Sequence, residues 1–440
     1  MSPVVLGFCL ICGILILTVK PRYVPIPFFV GSLYTTMGQA LVIGGAQFYV
    51  LRILVVFSFI RIFMRKEIRE FGGLNTIDKL FFASGIVSMI AGYLQERTFH
   101  EVIARIGIGI DTYGIYFVMR SYIGTLEDIK FNIRVILFLF IPVIVLMMIE
   151  KTTMHNFFSI FGGVPDISAI REGKLRAQGP FAHPILAGTA AASMVPLFVA
   201  LISEPSFSRK VYGIAGVFAM LVIVLCTASS GPIMTFMCAL IGIGFWRFRN
   251  RMRTVRWLVI IAIVLLEASM KSHFWYILAK IDIVGGSTGF HRADLITSAL
   301  NHLNEWWLYG TNYTRHWMPT GVTWSKNHTD ITNQYIAQGV KGGLLQMSIF
   351  IAILVYCFKY VGRILRVHSE SPFTDQLVIW SLGAVMFTHI ITFFSVSYFD
   401  QIIVFLYSVV GMISRLWVNC RNDTFAPPQV AYKGAANDSP

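Results

Sequence analysis

The feature that most constrains the fold is a succession of apolar segments, each about 16–20 residues long, interrupted by only two long polar stretches. These stretches cover residues 150–182 and 271–340, and the other connections are short. With 56% hydrophobic residues, 13% charged residues and a mean hydropathy of +0.68, the chain has more apolar surface than a soluble domain can bury. The sequence therefore predicts a polytopic membrane protein whose polar chemistry lies in the two stretches.

Thirteen candidate spans follow from this pattern, and each should be a helix because hydrocarbon offers the backbone no other hydrogen-bond partner. They cover residues 3–19, 25–45, 47–64, 78–95, 102–120, 134–150, 183–202, 211–227, 231–247, 255–270, 341–360, 376–395 and 398–417. Segment 25–64 has an alternative, one long span plus a re-entrant piece, because Pro25, Pro27 and Gly31 weaken its start.

We expect an all-α polytopic membrane fold of about 12–13 transmembrane helices, with a large periplasmic loop that carries short helices. The transmembrane domain is predicted over residues 1–418 and a disordered cytoplasmic tail over 419–440, where Pro and Gly accumulate.

Basic residues predict the orientation. Five arginines lie between positions 247 and 256, and alternate short loops are also basic. If these loops face the cytoplasm, the N-terminus and both polar stretches lie outside and the C-terminus lies inside. The net charge of +14 then anchors the protein against anionic lipid and is weak support for nucleic-acid binding, so no nucleic-acid partner is predicted.

Several common motifs are absent. No phosphate-binding Gly-rich loop followed by Lys occurs, which argues against ATP-driven transport. No HExxH motif or Cys/His cluster occurs, and the six cysteines lie in or beside spans. We therefore predict no metal, no cofactor and no disulfide framework. Gly107 and Gly109 lie inside a span, where small residues usually allow close helix packing.

The first polar stretch ends in two X–Pro pairs, Gly179–Pro180 and His183–Pro184, which predict a rigid turn at the membrane surface. Arg176 and His183 would then be held at the lipid–water boundary, where both are candidate substrate-binding residues. The alternative is an interfacial anchor followed by a helix that begins with proline.

The second stretch contains a segment at about 291–308 with helical spacing, in which Leu295, Ala299, Leu303 and Trp307 share one side. Tryptophans concentrate around it, at positions 306, 307, 317 and 324. An aromatic belt at the membrane surface would explain them. The alternative is stacking against sugar rings, for which Trp307 is the candidate.

His328 lies in the same stretch, a few residues before the next span. We expect it to be hydrated, to have an ordinary pKa and to accept a proton at neutral pH. Asn333 and Tyr335 follow in the same polar cluster and are candidate substrate-binding residues. The alternative is a surface histidine without a role.

Three short motifs together resemble the O-antigen ligase and O-antigen polymerase family. They are Arg176 with the following Gly-Pro-Phe-Ala-His-Pro-Ile-Leu-Ala-Gly, the Gly-rich segment before His291–Arg292, and His328 with the following Asn333-Gln-Tyr-Ile and Gly342-Gly-Leu-Leu. The number of helices and the dominant outer loop before the last helices are also similar. The likeness in architecture covers roughly residues 45–400.

This resemblance implies a GT-C-like transferase of the bacterial inner membrane. It would use an undecaprenyl-diphosphate-linked oligosaccharide as donor and a glycan acceptor, without a metal. A chain-length regulator and a flippase of the same pathway are the implied partners, besides membrane lipid. Arg292 and His328 match the family's catalytic Arg and His. A further family Arg falls in residues 228–231, where this chain has Ser230, so Arg176 or Arg52 is expected to supply that phosphate contact.

Arginine and histidine suit this chemistry. Arginine binds diphosphate oxygens bidentately without losing its charge, and a neutral histidine can take the proton of an attacking hydroxyl. The activity could be polymerisation of glycan repeat units, towards which the motif details lean, or ligation of finished glycan to a lipid or protein acceptor. A transporter or flippase is the alternative from another class. Internal repeats and mid-membrane charges, typical of transporters, are scarce here.

Overall fold

The structure is a computed structural model that describes residues 1–43, 46–67, 72–280, 289–323 and 325–425. It consists almost entirely of helices, which we number in chain order: α1 Pro3–Thr18, α2 Pro25–Tyr34, α3 Val50–Met64, α4 Thr76–Glu96, α5 Phe99–Tyr122, α6 Leu126–Thr153, α7 Pro184–Ile202, α8 Phe207–Cys226, α9 Ser230–Gly244, α10 Met252–Ser269, α11 Ile277–Lys280, α12 Gly289–Asn301, α13 Leu303–Trp306, α14 Gln334–Val367, α15 Phe373–Thr392 and α16 Ile402–Phe425.

Eight of the described helices are long and apolar enough to cross a membrane: α4, α5, α6, α7, α8, α14, α15 and α16. This confirms the predicted fold class, an all-α polytopic membrane protein. Helices α1, α3 and α9 are shorter, with 16, 15 and 15 residues, yet they pack within the same bundle. Helix α10 has no buried residue and contains Arg253, Arg256 and Glu267.

The prediction of one helix over 25–45 is wrong. Helix α2 ends after ten residues, where Thr35 adopts an extended conformation. An antiparallel hairpin follows, formed by β1 (Ala40–Ile43) and β2 (Ala46–Tyr49). Two further short hairpins lie in the polar stretches: β3 (Ile170–Arg171) with β4 (Lys174–Leu175), and β5 (Gly321–Val322) with β6 (Ser325–Thr329).

Helix α7 forms the centre of the bundle and packs against α8, α9, α15 and α16. Its run of Ala and Gly allows these neighbours to approach closely. At Gly188, for example, an added Cβ would lie only 2.6 Å from Pro232 Cβ. Helix packing here depends on the small residues that the sequence places at the interface.

The two polar stretches lie at one end of the bundle, which we call the loop end. Asp400, between α15 and α16, accepts a hydrogen bond from the Ala182 amide, and the Gln334 amide donates to Phe393 O in the same connection. The N-terminus is also there, because Ser2 Oγ donates to Phe161 O. At the opposite end, Asn419 of α16 donates to Gly124 O. The N-terminus and the last described turn of α16 therefore lie at opposite ends of the bundle.

The predicted boundary of the tail is wrong, since α16 continues to Phe425 and includes residues 419–425. Residues 426–440 lie outside the described part of the chain. So do Trp324 and residues 281–288, which contain most of the Gly-rich segment.

The second polar stretch has a small core of its own. The helix predicted at about 291–308 is confirmed as α12 and α13. Leu295 and Ala299 are buried as expected, but Trp306 fills the core and Trp307 is exposed. The break at His302 between the two helices shifts the helical phase. Trp317 is buried in the same core, so only Trp307 of the described tryptophans at these positions keeps an exposed face.

Helix α14 is bent near its start. Gly342 and Gly343 depart from helical angles, and Gly343 has φ +75°. An added Cβ at Gly343 would lie 2.3 Å from Leu308 O, so glycine is required for conformation and for space. The bend separates a short outer piece, which begins at Gln334, from the span predicted to start at 341.

Candidate functional site

A tightly held turn at the loop end leads from Arg176 into α7. Glu150, at the end of α6, accepts hydrogen bonds from the Gln178 amide and the Gly179 amide, both at 2.9 Å, and from Ser168 Oγ at 2.6 Å. Gly179 has φ +57°, a conformation that glycine adopts without strain. The predicted rigid turn at Gly179–Pro180 is therefore present, and a buried carboxylate holds it.

His183 caps the first turn of α7. Its Nδ1 accepts a hydrogen bond from the Ile185 amide at 3.1 Å, and Pro184 begins the helix. Burial, together with the charges of Arg176 and Arg171, lowers the pKa of His183 to about 4. The imidazole is thus neutral at physiological pH. Because Nδ1 accepts, Nε2 carries the proton and can donate a hydrogen bond.

Arg176 is buried beside the start of α9. Its Nε and Nη2 both donate to Ser229 Oγ, at 3.2 and 2.7 Å. Ser229 is the N-cap residue of α9 and lies within residues 228–231, where the resemblance led us to expect an arginine. The guanidinium of Arg176 therefore lies next to that segment. Arg176 is one of the two residues predicted to replace the missing arginine.

Arg292, near the start of α12, lines a cavity of about 110 Å³ between α9 and α15. The other lining residues are mostly apolar or uncharged: Ser230, Gly231, Met234, Thr235, Cys238, Leu278, Ile391, Thr392 and Ser395. Arg292 Nε is buried and has no hydrogen-bond partner among the described residues. A buried guanidinium nitrogen without a partner is costly, which indicates a site for an anionic acceptor.

Arg171, Arg176 and Arg292 form one electrostatic group, which we call the arginine cluster. Burial lowers the pKa of both Arg176 and Arg292, and the charge of Arg171 lowers both further. No carboxylate of the described residues lies within ion-pair distance of Arg176 or Arg292. The charge of Asp330 acts on Arg292 in the opposite direction, from beyond ion-pair distance. Because Arg176 and Arg292 have no carboxylate at ion-pair distance, their charges favour the binding of an anion.

His328 lies in β6 and is half-buried. Ser325 Oγ lies 2.7 Å from its Nδ1. Burial lowers its pKa, so the expectation of a hydrated side chain with an ordinary pKa is wrong. Its hairpin is connected to α12, because His291 Nε2 lies 3.1 Å from Asp330 O. A neutral imidazole is the form that accepts a proton.

Arg52 does not join the arginine cluster. It forms a bidentate ion pair with Asp111, with Nε–Oδ1 and Nη2–Oδ2 distances of 3.0 and 2.7 Å. It also donates to Gln47 O. An added Cβ at Gly107 would lie 2.5 Å from Arg52 Nη2, so this glycine makes room for the guanidinium. Asp111 already occupies the fork of Arg52, which argues against the predicted role of Arg52 in substrate binding. Gly107 has the packing role that the sequence indicated.

Asn333 and Tyr335 have structural roles. Asn333 Oδ1 caps α14 by accepting from the Tyr335 and Ile336 amides, and the asparagine is buried. Tyr335 donates its hydroxyl hydrogen to Ile390 O at 3.0 Å and packs edge-on against Phe393. These contacts occupy the polar atoms that we expected to meet substrate. Trp307 is 50% exposed, so its side chain keeps a free surface.

Sequence reasoning missed three contributors. Arg171 belongs to the arginine cluster, Glu150 positions the turn after Arg176, and Asp400 holds Ala182, next to His183, at 2.7 Å. A lone carboxylate at the predicted outer end of a span was the available signal for Glu150. Arg171 and Asp400 carried no comparable signal, because only the fold brings them to the site.

One set of metal-ligating side chains also escaped sequence reasoning. His302, Glu305 and His316 have donor atoms within 4.8 Å of one another, although the sequence contains no familiar metal-binding motif. His302 lies between α12 and α13, Glu305 lies in α13, and His316 lies in a 3-10 helix further along the second polar stretch. It lies at the far end of α12 from Arg292.

Comparison with known families and proteins provides no identification. No protein-family model matches this chain, and no curated protein shows significant similarity to it.

Proposed function

We propose that this protein is a glycosyltransferase that takes glycan from a polyprenyl-diphosphate carrier and transfers it to a glycan acceptor at the loop end. The observation that carries the proposal is the arginine cluster beside an apolar cavity among the helices. A diphosphate attached to a long hydrocarbon chain has both the charge and the apolar tail for this combination. The resemblance to the O-antigen ligase and polymerase family supports the same reaction.

The electrostatics favour diphosphate over a neutral ligand. Arg176 presents a buried guanidinium oriented by Ser229, and Arg292 has a buried Nε with no partner among the described atoms. One guanidinium group can donate two parallel hydrogen bonds to phosphate oxygens, and it remains charged in a partly apolar site. His183 adds a neutral donor through Nε2. Together these groups would stabilise the negative charge that develops as the diphosphate leaves.

In the transfer step, an acceptor hydroxyl oxygen bonds to the anomeric carbon of the donor sugar. The bond between that carbon and the diphosphate oxygen breaks, and its electron pair leaves with the diphosphate. The hydroxyl proton passes to His328, whose lowered pKa keeps it in the neutral, accepting form. The exposed face of Trp307 is suited to stacking against a sugar of either substrate. The residues in this scheme need no metal for charge neutralisation.

The finer assignment follows the resemblance. We propose a polymerase of exopolysaccharide or O-antigen repeat units, with ligation to a lipid or protein acceptor as the second candidate. The end of the bundle opposite the loop end, which has the basic connections, would face the cytoplasm. The loop end would face the periplasm of a bacterial inner membrane. The donor would then arrive already exported, through a flippase of the same pathway, and a chain-length regulator would be a natural partner.

Binding of the carrier tests the anion site. We expect undecaprenyl diphosphate to bind the purified protein in nanodiscs, and Arg176→Gln and Arg292→Gln each to weaken this binding at least about tenfold, as expected for loss of a charge-assisted contact. Lys326→Gln removes an exposed charge from the same outer stretch and should leave affinity unchanged. Equal affinity of Arg292→Gln and wild type would contradict the proposed site.

Transfer itself separates the enzyme from a transporter. Wild-type protein in vesicles, supplied with the lipid-linked oligosaccharide of its own host, should yield longer glycan or glycan bound to the acceptor. Arg292→Lys should yield neither product, because the point charge of lysine cannot reproduce the bidentate fork of arginine. Movement of the lipid-linked donor between leaflets without any new glycosidic bond would instead identify a flippase.

A further inference from the structure

His302, Glu305 and His316 bring two imidazoles and a carboxylate together away from the arginine cluster. His302 follows the last turn of α12, Glu305 lies in α13, and His316 lies in the 3-10 helix Arg315–Trp317. Arg292 lies ten residues before His302, which corresponds to about 15 Å along a helix. The three side chains therefore form a second site with its own chemistry.

Two of the three are oriented by contacts that leave metal-binding atoms available. His302 Nδ1 lies 2.8 Å from Ser298 O, and because a carbonyl only accepts, Nδ1 carries the proton and Nε2 has the lone pair. Glu305 Oε2 accepts a hydrogen bond from Trp317 Nε1 at 3.0 Å, which leaves Oε1 directed towards His316. Such outer contacts commonly fix the ligands of metal sites.

The donor atoms of the three side chains already lie close together. His316 Nε2 lies 2.9 Å from Glu305 Oε1, and all three donor atoms lie within 4.8 Å of one another. Ligands bound to zinc at 2.0–2.1 Å are separated by about 3.4 Å in a tetrahedron. Side-chain shifts on the order of 1 Å would thus close the site. His302 is half-buried, whereas Glu305 and His316 are exposed, so an ion can enter from solvent.

We propose that His302, Glu305 and His316 bind a divalent metal ion of the zinc class, with water at the fourth position. Two imidazole nitrogens and one carboxylate oxygen are ligands that zinc accepts. The ion would join the end of α12, whose start carries Arg292, to the segment that leads into β6 and His328. Its role is to stabilise the outer stretch, and it takes no part in the transfer step.

Packing alone offers the alternative explanation. His302 stacks on Trp317 with ring centroids 5.7 Å apart, and His316 stacks on Tyr313 at 5.0 Å. These contacts and the close His316–Glu305 contact could orient the side chains without a metal. The chain offers a matched control, because His273 Nδ1 lies 2.7 Å from Glu267 Oε1 in an exposed pair for which the described residues provide no third ligand.

The experiment uses the full chain, purified in detergent through a tag without histidine and stripped with EDTA. Titration with Co²⁺, followed by its visible absorption, and competition with Zn²⁺ should give one site per chain. We expect His302→Gln and His316→Gln to weaken binding at least about tenfold, since even loss of an outer contact costs that much. His273→Gln should bind as wild type does.

Thermal unfolding with and without Zn²⁺ provides a second measurement. The wild type and His273→Gln should unfold at a higher temperature with Zn²⁺, and the two ligand variants should show no shift. Equal stability of all four proteins in EDTA would show that the variants fold. Absence of a one-to-one Co²⁺ site in the wild type, or unchanged binding in His302→Gln and His316→Gln, would overturn the proposal.

Discussion

The Arg176 guanidinium donates two hydrogen bonds to a single oxygen, Ser229 Oγ, from Nε at 3.2 Å and from Nη2 at 2.7 Å. This contact joins the first polar stretch to the beginning of α9, across 53 residues of chain. Ser229 Oγ in turn donates to Thr227 O at 2.7 Å. The hydroxyl therefore fixes both the position of Arg176 and its distance from α9.

Removal of that hydroxyl should disturb both stability and transfer. Ser229→Ala leaves two buried guanidinium donors without an acceptor, which should lower the free energy of unfolding by about 1–3 kcal/mol. Thermal unfolding and glycan transfer measure the two effects. Ser229→Thr keeps the hydroxyl and should restore most of both properties. Wild-type behaviour of Ser229→Ala would show that this contact does not position Arg176.

His328 should be required in its neutral form. His328→Ala and His328→Gln should both abolish transfer without changing protein level or membrane insertion, because neither side chain accepts the proton. Since burial lowers the pKa of His328, wild-type activity should persist as the pH falls to 6.5 and decline only below that. His155→Gln, at an exposed histidine of the other polar stretch, serves as control. Near-normal glycan in His328→Ala would exclude it as the base.

Glu150 should act through the turn that it holds. Glu150→Ala removes the acceptor of two backbone amides and of Ser168 Oγ, which should cost at least about 2 kcal/mol and abolish transfer. Glu150→Gln keeps one acceptor oxygen and should lie between wild type and alanine. Thermal unfolding and protease sensitivity of the exposed β3–β4 hairpin report the effect. An intact hairpin and full stability in Glu150→Ala would refute this role.

Asp400 predicts a pH-dependent stability. Burial raises its pKa to about 7, above the ordinary 3.8, so the folded protein binds the proton more tightly than the unfolded chain does. The contribution of Asp400 to the free energy of unfolding is therefore most favourable at low pH and is lost as the pH rises from about 4 through 7. After allowance for the partial exposure of Asp400, this loss is on the order of 2 kcal/mol.

Asparagine at position 400 removes this titration. Asp400→Asn still accepts the hydrogen bond from the Ala182 amide and tolerates the left-handed conformation, φ +63°. Melting temperatures between pH 5 and 8 should then vary less than in the wild type. The same pH profile in both proteins would show that the Asp400 carboxyl does not titrate in this range.

Orientation in the membrane can be tested directly, because all six native cysteines are buried. Lys326→Cys lies on an exposed part of the loop end and should react with a membrane-impermeant thiol reagent applied to cells stripped of their outer barrier. Asn250→Cys lies among five arginines and should react only after lysis. Thr314 and Thr329 are buried and unsuitable for this purpose. The reverse labelling pattern would invert the proposed topology and separate the site from exported donor.

The sequence by itself determined the membrane class, most helix boundaries and the regions that hold polar chemistry. These properties follow from local composition: apolar length decides whether a segment can span, and prolines such as Pro184 decide where a helix begins. It also identified Arg176, His183 and His328 as candidates, because they are polar residues at the predicted outer surface, and the family resemblance added Arg292.

Only the tertiary structure decided which candidates lie together. Arg52 is paired with Asp111, 59 residues away, whereas Arg171 joins the cluster through a short hairpin that has no strong sequence signal. Asn333 accepts hydrogen bonds at the start of α14, and the Tyr335 hydroxyl donates a hydrogen bond to α15. Ion pairs and hydrogen bonds between distant segments depend on how the helices pack. The periodicity within one segment contains no information about which distant residue its polar side chains will contact.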